Sequence, residues 1–186
     1  MNAQADAPTP MSNPTTVERA SDREMVTTRI FDAPARIVFA AWTRPDLFKR
    51  WWAPKSMGVP LRTCEMDVRT GGGYRLEFGH DAANAFAFFG KYLEVIPESR
   101  LVWTNDEGED GAVTTVTFEE ADGRTLLTYH ELYPSKEALD EALVGMDSGI
   151  PGQFEAMPEQ FEQLDQLLAG MGAGASAGAP PAPAAT

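Results

Sequence analysis

The sequence predicts an α+β domain in which one curved antiparallel sheet of about six to seven strands wraps around a long C-terminal helix. Segments of alternating apolar and polar residues follow one another from residue 63 to residue 133, with turn residues between them. Helical apolar spacing is confined to two short segments after the first strand and to the end of the body. Because hairpin-linked strands pair antiparallel and the helices are segregated, the sheet buries its apolar face against the last helix.

The two ends of the chain lack the apolar side chains of a globular domain. Residues 1–22 contain almost no large apolar residues, and residues 170–186 are mainly Gly, Ala, Pro and Ser. Neither segment buries enough surface to offset the entropy of ordering it. We therefore expect a disordered N-terminal tail at 1–22, one domain at 23–169 and a disordered C-terminal tail at 170–186.

Charge and composition exclude several classes of function. The 186 residues carry a formal net charge of −13 without a Lys/Arg stripe, so neither nucleic acid nor a membrane surface is an expected partner. Cys64 is the only cysteine, and no His/Asp/Glu spacing indicates a metal site, so we expect neither a metal nor another cofactor. No signal peptide and no apolar run of about 20 residues is visible, which predicts a cytoplasmic protein.

The first strand and the two short helices come next in order. Residues 25–31 (MVTTRIF) are β-branched and alternating, which predicts a strand. Asp32-Ala33-Pro34 predicts the start of a helix with Asp32 as its N-cap. Thr43, three residues before Asp46, is predicted to cap a second short helix that Pro54 limits.

The second short helix has the highest aromatic density in the chain. Phe48, Trp51 and Trp52 fall at i, i+3 and i+4, and with Trp42 they place three of the four tryptophans within eleven residues. Adjacent helical residues point about 100° apart. We therefore expect one of Trp51 and Trp52 to pack the core, and the other to face a cavity or a neighbouring subunit.

The meander and the C-terminal helices complete the body. Further strands are predicted at about 63–68, 74–78, 86–96, 101–104, 113–119 and 126–133, with Asp122-Gly123 as a hairpin turn. Ser135 is predicted to cap a helix, and apolar residues from Phe154 to Leu168 then recur at helical spacing. Pro158 within that pattern predicts a kink or a late helix start.

Five strings occur in one fixed order along the body: RIFDAPARIVFAAWTRPDLFKRWWAPK (29–55), DVRTGGGYRLEF (67–78), GKYLEVIPESRLVWT (90–104), VTFEEADGRTLLTYHELYPS (116–135) and FEQLDQLL (161–168). Together they resemble the heat-shock-protein ATPase activator-like (AHSA-type) family of the START/SRPBCC helix-grip superfamily. The resemblance covers nearly the whole body. It implies a sheet that grips the last helix, with a cavity between them roofed by the short helices.

The resemblance also implies a range of functions. In this superfamily such cavities bind hydrophobic small molecules; some members catalyse cyclisation or dehydration of polyketides, or hydrolysis, and others only sequester or carry ligands. Eukaryotic activators of the heat-shock ATPase have a separate N-terminal domain for chaperone contact, which the polar tail at 1–22 does not resemble. The segment 146–152 looks longer than the family's pattern, so we expect a changed lip where the last helix begins.

We expect the cavity to be lined by the aromatic cluster, by inward-facing strand residues and by the apolar stripe of the last helix. The predicted ligand-binding residues are Trp42, Phe48, Trp51, Trp52, Tyr74, Leu76, Phe78, Phe88, Tyr92, Trp103, Tyr129, Glu131, Phe154, Met157 and Phe161.

No catalytic group is identified by the sequence, but Glu131, Tyr129 and His80 are candidates. Glu131 shares a strand face with Leu127 and Tyr129, and burying a carboxylate is costly unless it is paired or protonated, which is the setting of many general acids and bases. The simpler interpretation, which we favour, is that Glu131 reaches water or pairs with an arginine at the strand end. His80 follows a strand beside Asp81, where a solvated turn residue is the simpler expectation.

Three functions remain open. The first is a binding protein for a small hydrophobic or aromatic molecule. The second is a cyclase, dehydratase or hydrolase that acts on a polyketide-like or aromatic substrate in the same cavity. The third, a chaperone-associated protein, is the least supported. Aromatic surface left exposed on the short helices would equally serve as a homodimer contact.

Overall fold

The computed structural model describes residues 13–106, 111–144 and 153–176. The strands in these ranges are β1 (Thr16–Arg19), β2 (Glu24–Phe31), β3 (Leu61–Met66), β4 (Gly73–Phe78), β5 (Phe86–Ile96), β6 (Arg100–Thr104), β7 (Val113–Ala121) and β8 (Arg124–Leu132). The helices are α1 (Ala35–Thr43), α2 (Pro45–Phe48), a 3₁₀ turn (Lys55–Met57), α3 (Lys136–Val144) and α4 (Gln153–Ser176). None of these helices is long and apolar enough to cross a membrane.

The strands form one curved antiparallel sheet in the order β1-β2-β8-β7-β6-β5-β4-β3. β2 lies beside β8, with residues 24–31 paired to residues 132–125, so the first long strand joins the end of the meander. Asp122 and Gly123 connect β7 to β8 with φ values of 53° and 73°, as a type I′ hairpin turn requires. The predicted α+β fold with a long C-terminal helix is confirmed, with eight strands in place of six or seven.

The additional strand is β1, which lies inside the segment that we predicted as an N-terminal tail. β1 is short and polar, but its backbone pairs with β2, and Arg19 forms an ion pair with Asp140 at 2.7 Å. Backbone pairing therefore orders a segment that has little apolar surface of its own. At the other end α4 continues to Ser176, beyond the predicted limit at 169, and Met171 in this extension packs against the main core. The remaining parts of both predicted tails (1–12 and 177–186), and the predicted longer segment at 146–152, lie outside the described residues.

The main core lies between α4 and the sheet. Phe161 and Leu164 of α4 are fully buried against strand residues such as Phe31 and Leu127, and the Phe31 and Phe161 rings meet edge-on at 5.6 Å. Each such side chain contributes about 1.5–3 kcal/mol by leaving water. Of the two outcomes predicted at Pro158, a kink or a late helix start, the late start is wrong, since α4 begins at Gln153 and includes the proline. The burial of apolar residues on both sides of the proline holds the first turns in place.

Of the three predicted helix caps, Ser135 is confirmed, since its hydroxyl accepts from the backbone N–H of Ala138 in α3 at 3.1 Å, and the other two are wrong. The Asp32 carboxylate forms an ion pair with Arg124 at 2.7 Å, and the free N–H of Ala35 at the start of α1 donates to Glu120 of β7 at 2.7 Å. Thr43 donates its hydroxyl to the carbonyl one turn earlier in α1 and does not cap α2. In the first case residues distant in sequence pair with the Asp32 side chain and with the N-terminus of α1. In the second case the Thr43 hydroxyl bonds to the preceding turn of α1.

Candidate functional site

A cavity of about 380 Å³ lies between the sheet, the first half of α4 and the segment that contains α1 and α2. Its volume falls in the range of about 300–1,000 Å³ that small-molecule sites occupy. Ten of the predicted ligand-binding residues line it: Trp42, Phe48, Trp52, Tyr74, Leu76, Phe78, Phe88, Tyr92, Trp103 and Tyr129.

Strand alternation accounts for the sheet side of the wall. Leu76 and Phe78 of β4 stand opposite Phe88 and Phe86 of β5, and all four point into the cavity. The Phe78 and Phe86 rings are stacked with their centroids 5.6 Å apart. Because successive strand residues face opposite sides, one buried face fixes which residues meet the cavity.

Five predicted ligand-binding residues lie elsewhere: Trp51, Glu131, Phe154, Met157 and Phe161. Met157 and Phe161 are fully buried in the main core, and Phe154 belongs to a second core cluster beneath α3. The helix meets the cavity instead through Ala156 and Gln160, the residues immediately before Met157 and Phe161. Adjacent residues of a helix point about 100° apart. The predicted apolar face of α4 is therefore rotated from the face that meets the cavity by about one residue.

The two adjacent tryptophans have different roles. Trp51 is 0% exposed and packs in the core, where its ring lies 4.8 Å from that of Trp42. Trp52 is half-buried, stacks on Phe48 at 4.8 Å and lines the cavity. The expectation that the two rings have different partners is therefore met, with Trp51 in the core and Trp52 at the cavity.

A proline explains the position of Trp51. In a continuous helix the carbonyl of Ala41 would accept from the N–H of residue 45, but residue 45 is proline and has no N–H. The Trp51 Nε1–H donates to that carbonyl at 3.0 Å. The indole thus supplies a hydrogen bond that the break between α1 and α2 removes.

Glu131 is buried beneath the cavity in a cluster of hydroxyl groups. Glu131 is only 1% exposed. Oε1 accepts from the Tyr129 hydroxyl at 2.9 Å and from the Thr114 hydroxyl at 3.2 Å, while Oε2 accepts from the Tyr133 hydroxyl at 3.1 Å. Our preferred expectation of a water-exposed or arginine-paired Glu131 is wrong, because β7 and α3 cover this end of β8.

The two tyrosines of this cluster are held in their neutral form. Burial raises the pKa of Tyr129 well above its ordinary value, and the neighbouring Glu131 carboxylate raises it further. Burial and then Glu131 raise the pKa of Tyr133 in the same way. Both phenols remain protonated at neutral pH, so they serve as hydrogen-bond donors and not as bases.

The structure does not bring the histidines into this cluster. His80 is exposed in the turn after β4 and does not line the cavity. His130 lies on the opposite face of β8 from Glu131, with Nε2 3.1 Å from Oε1 of Glu24. Among the residues of the described ranges, no group of three or more His, Cys, Asp or Glu side chains is arranged to hold a metal ion.

The loop after α2 is held against α4 by Gln163, whose amide nitrogen and oxygen both form hydrogen bonds to the loop. Gln163 donates from Nε2 to the carbonyls of Trp51 and Ala53 at 2.7 and 3.0 Å, and its Oε1 accepts from the backbone N–H of Lys55 at 2.9 Å. These bonds position the loop over the first half of α4.

Two further side chains of α4 hold the same loop. Gln160 donates from Nε2 to the carbonyl of Trp52 at 2.6 Å, and Glu159 accepts from the backbone N–H of Ser56 at 2.9 Å and also from its hydroxyl. The cavity wall formed by Trp52 is therefore set by hydrogen bonds from α4 as well as by stacking.

Sequence reasoning missed half of the wall. The missed residues are Pro54, Met57, Met66, Phe86, Leu101, Asn105, Tyr133, Glu141, Ala142, Ala156 and Gln160. Alternation would have found Phe86 and Tyr133, which lie two residues from Phe88 and Glu131 on the same strand faces. No sequence signal identifies Glu141 or Ala142, since their place depends on how α3 folds back over the sheet.

The family described as Activator of Hsp90 ATPase homolog 1-like protein matches residues 32–169. A protein from Rhodobacter sphaeroides is 22% identical with a TM-score of 0.74, over 84% of this chain and 99% of that one. A Mycobacterium smegmatis protein is 24% identical with a TM-score of 0.69, over 85% and 99%. An AHSA1-like protein from Aeromonas hydrophila is 20% identical with a TM-score of 0.58, over 80% and 94%. No curated protein matches the chain. At these identities the structural likenesses show the fold alone.

Proposed function

The chain belongs to the Activator of Hsp90 ATPase homolog 1-like family, and on that premise we propose that it binds a small, mostly apolar molecule in the cavity between the sheet and α4. The observation that carries the proposal is a cavity of about 380 Å³ with a largely aromatic wall beside the main core. Protein interiors contain few voids larger than a water molecule, and a void of this size forfeits stabilising contacts unless a ligand fills it.

The wall is also held rigidly enough to select a shape. The Tyr74 hydroxyl donates to the carbonyl of Thr104 at 2.9 Å, which fixes one ring of the wall. On the other side the stacked Phe48 and Trp52 rings are fastened to α4 through Gln160. A preorganised apolar wall favours affinity because little side-chain freedom is lost on binding.

Intrinsic fluorescence tests the proposal, since Trp42, Trp52 and Trp103 line the cavity. We expect 4-phenylphenol and biphenyl to change the tryptophan emission in a saturable manner. Ala156 lies in the wall and is 7% exposed, so Ala156→Phe fills the cavity and should abolish binding. Ala169 is exposed on the same helix, and Ala169→Phe is the matched control that should bind normally. A folded Ala156→Phe variant that binds as tightly as the unaltered protein would overturn the proposal.

A second function, catalysis in the same cavity, is supported by the buried Glu131 with its two tyrosines. Tyr129 and Tyr133 line the cavity, and their neutral hydroxyls would have to turn from Glu131 to a substrate carbonyl, which would free the Glu131 carboxylate behind them to be the acid–base group. Catalysis predicts turnover of 4-phenylphenyl acetate, an ester of the binding probe, and a loss of about 10²–10⁴-fold in Glu131→Gln with the affinity for 4-phenylphenol retained. Equal rates in both proteins would leave only the binding function.

A further inference from the structure

Two buried polar atoms in the cavity wall have no hydrogen-bond partner among the described residues. They are Oε1 of Gln160, an acceptor, and Nε1 of Trp42, a donor. The two residues are 6% and 2% exposed, so bulk water does not satisfy them. A buried polar group without a partner is unfavourable, and a bound molecule that supplies the missing partner removes that cost.

The orientation of the Gln160 amide is fixed by its other partner. The carbonyl of Trp52 can only accept, so the Gln160 atom 2.6 Å from it must be the amide nitrogen. This assignment leaves Oε1 as the free end. Gln163, one turn later, shows the contrasting case: it uses both its nitrogen and its oxygen on the loop, and it does not line the cavity.

The charges of the wall restrict the ligand further. No lysine, arginine or histidine is among the described residues that line the cavity, whereas Glu141 is. A ligand carboxylate or phosphate would enter without a cation to pair with it, and moving an unpaired charge out of water is costly. The wall therefore disfavours anions such as fatty acids.

We propose that the ligand is a neutral apolar molecule that carries a hydroxyl group, and that this hydroxyl donates a hydrogen bond to Oε1 of Gln160. The inference rests on the proposed binding function and deepens it by naming the ligand class. Nε1–H of Trp42 is the second atom of the wall without a partner, and a hydroxyl oxygen is the kind of acceptor that it lacks. Gln160 thus holds the loop through the bond from its nitrogen to the Trp52 carbonyl, and its oxygen recognises the hydroxyl group of the ligand.

Four probes of one shape test the proposal: 4-phenylphenol, 4-methoxybiphenyl, biphenyl and biphenyl-4-carboxylate. The first donates a hydrogen bond, the second only accepts, the third does neither and the fourth is an anion. We expect 4-phenylphenol to bind about tenfold more tightly than 4-methoxybiphenyl, the advantage of one neutral hydrogen bond, and the carboxylate to bind most weakly. The readout is the ratio of dissociation constants from calorimetric titration.

Gln160→Met keeps the size of the side chain and removes the acceptor, so the ratio between the two probes should fall to about one. Gln160→Leu also removes the acceptor and is close in size, so it provides the same comparison if the Met variant does not fold. Gln163→Met is the control, because it also removes hydrogen bonds to the loop. The absolute affinities are free to change in this variant, but the ratio of the dissociation constants of 4-phenylphenol and 4-methoxybiphenyl should stay the same.

The possible failures are distinguishable. A protein that binds none of the neutral probes would overturn the proposed binding function itself. Binding of all three neutral probes with equal affinity, or a hydroxyl preference that persists in Gln160→Met, would leave the binding function intact and overturn the role of Gln160. Tightest binding of the carboxylate would refute the neutral ligand class.

Discussion

Single substitutions of the two adjacent tryptophans should separate stability from ligand binding. Trp51→Phe removes an indole that is 0% exposed and that donates to the carbonyl of Ala41 at 3.0 Å. Trp52→Phe shortens a half-buried ring that stacks on Phe48 and faces the cavity. We expect the first change to lower the free energy of unfolding, and the second to weaken ligand binding.

The size of the Trp51 effect follows from two losses. Pro45 has no N–H to donate to the carbonyl of Ala41, so Trp51→Phe leaves this carbonyl without the indole donor. Leaving a buried acceptor unpaired costs about 1–3 kcal/mol. The removed part of the indole leaves a void of roughly 40 Å³, worth about 1 kcal/mol at about 24 cal/mol per Å³. The total of about 2–4 kcal/mol corresponds to a decrease in Tm of about 4–16 °C for a domain of this size.

Trp52→Phe should cost less than about 1 kcal/mol, because the ring that it shortens already borders empty space. Urea unfolding followed by far-UV circular dichroism measures stability without relying on the altered tryptophans. Calorimetric titration with 4-phenylphenol measures binding in each variant. The assignment is refuted if Trp51→Phe retains its stability and loses binding, or if Trp52→Phe loses stability and binds normally.

Two further predictions concern the frame of the site. In Gly90→Ala, the added Cβ would lie 1.8 Å from the carbonyl oxygen of Thr104, so the strand must shift; we expect at least the loss of about 1–3 kcal/mol typical of overpacking, and an unchanged urea midpoint would contradict this geometry. Hydrogen bonds from the Ser56 hydroxyl and backbone hold the pKa of Glu159 below its ordinary value of 4.5. The stabilisation by Glu159 is therefore present above pH 4.5 and is lost as the pH falls through the lower pKa of the folded state. The difference in urea midpoint between the unaltered protein and Glu159→Gln should shrink as the pH falls below 4.5, and a constant difference would contradict this.

Residue patterns predicted the sheet better than they predicted the contacts of the helices. Leu76 and Phe78 face the cavity as their alternation indicated, since a strand has only two faces and one of them is buried. On α4 the same reasoning gave Met157 and Phe161 where the structure has Ala156 and Gln160, because a helix presents every direction and small rotations change which residues meet a cavity.

Other features depended on partners that are distant in sequence. The strand β1 has too little apolar surface to be predicted, and it is ordered by pairing with β2. Trp51 and Trp52 were predicted to differ, but the assignment required knowing that the Ala41 carbonyl faces Pro45 and needs a donor. The burial of Glu131 was missed because the hydroxyl of Thr114 comes from β7 and is brought close only by the register of the β7–β8 hairpin.

The polar groups in and behind the cavity wall are of two kinds: those that already have hydrogen-bond partners and those that have none among the described residues. This difference indicates which group should select the ligand. At Glu131, three hydroxyl groups from Thr114, Tyr129 and Tyr133 donate to the carboxylate, and Glu131 does not line the cavity, so a ligand reaches it only by displacing part of the wall. At Gln160 the acceptor oxygen has no described partner and the ligand displaces nothing. Displacing a buried hydrogen bond offsets most of the gain from a new one, whereas completing an unsatisfied group does not. The selection of a ligand should therefore depend on Gln160, and Glu131 should contribute chiefly to the stability of the wall behind it.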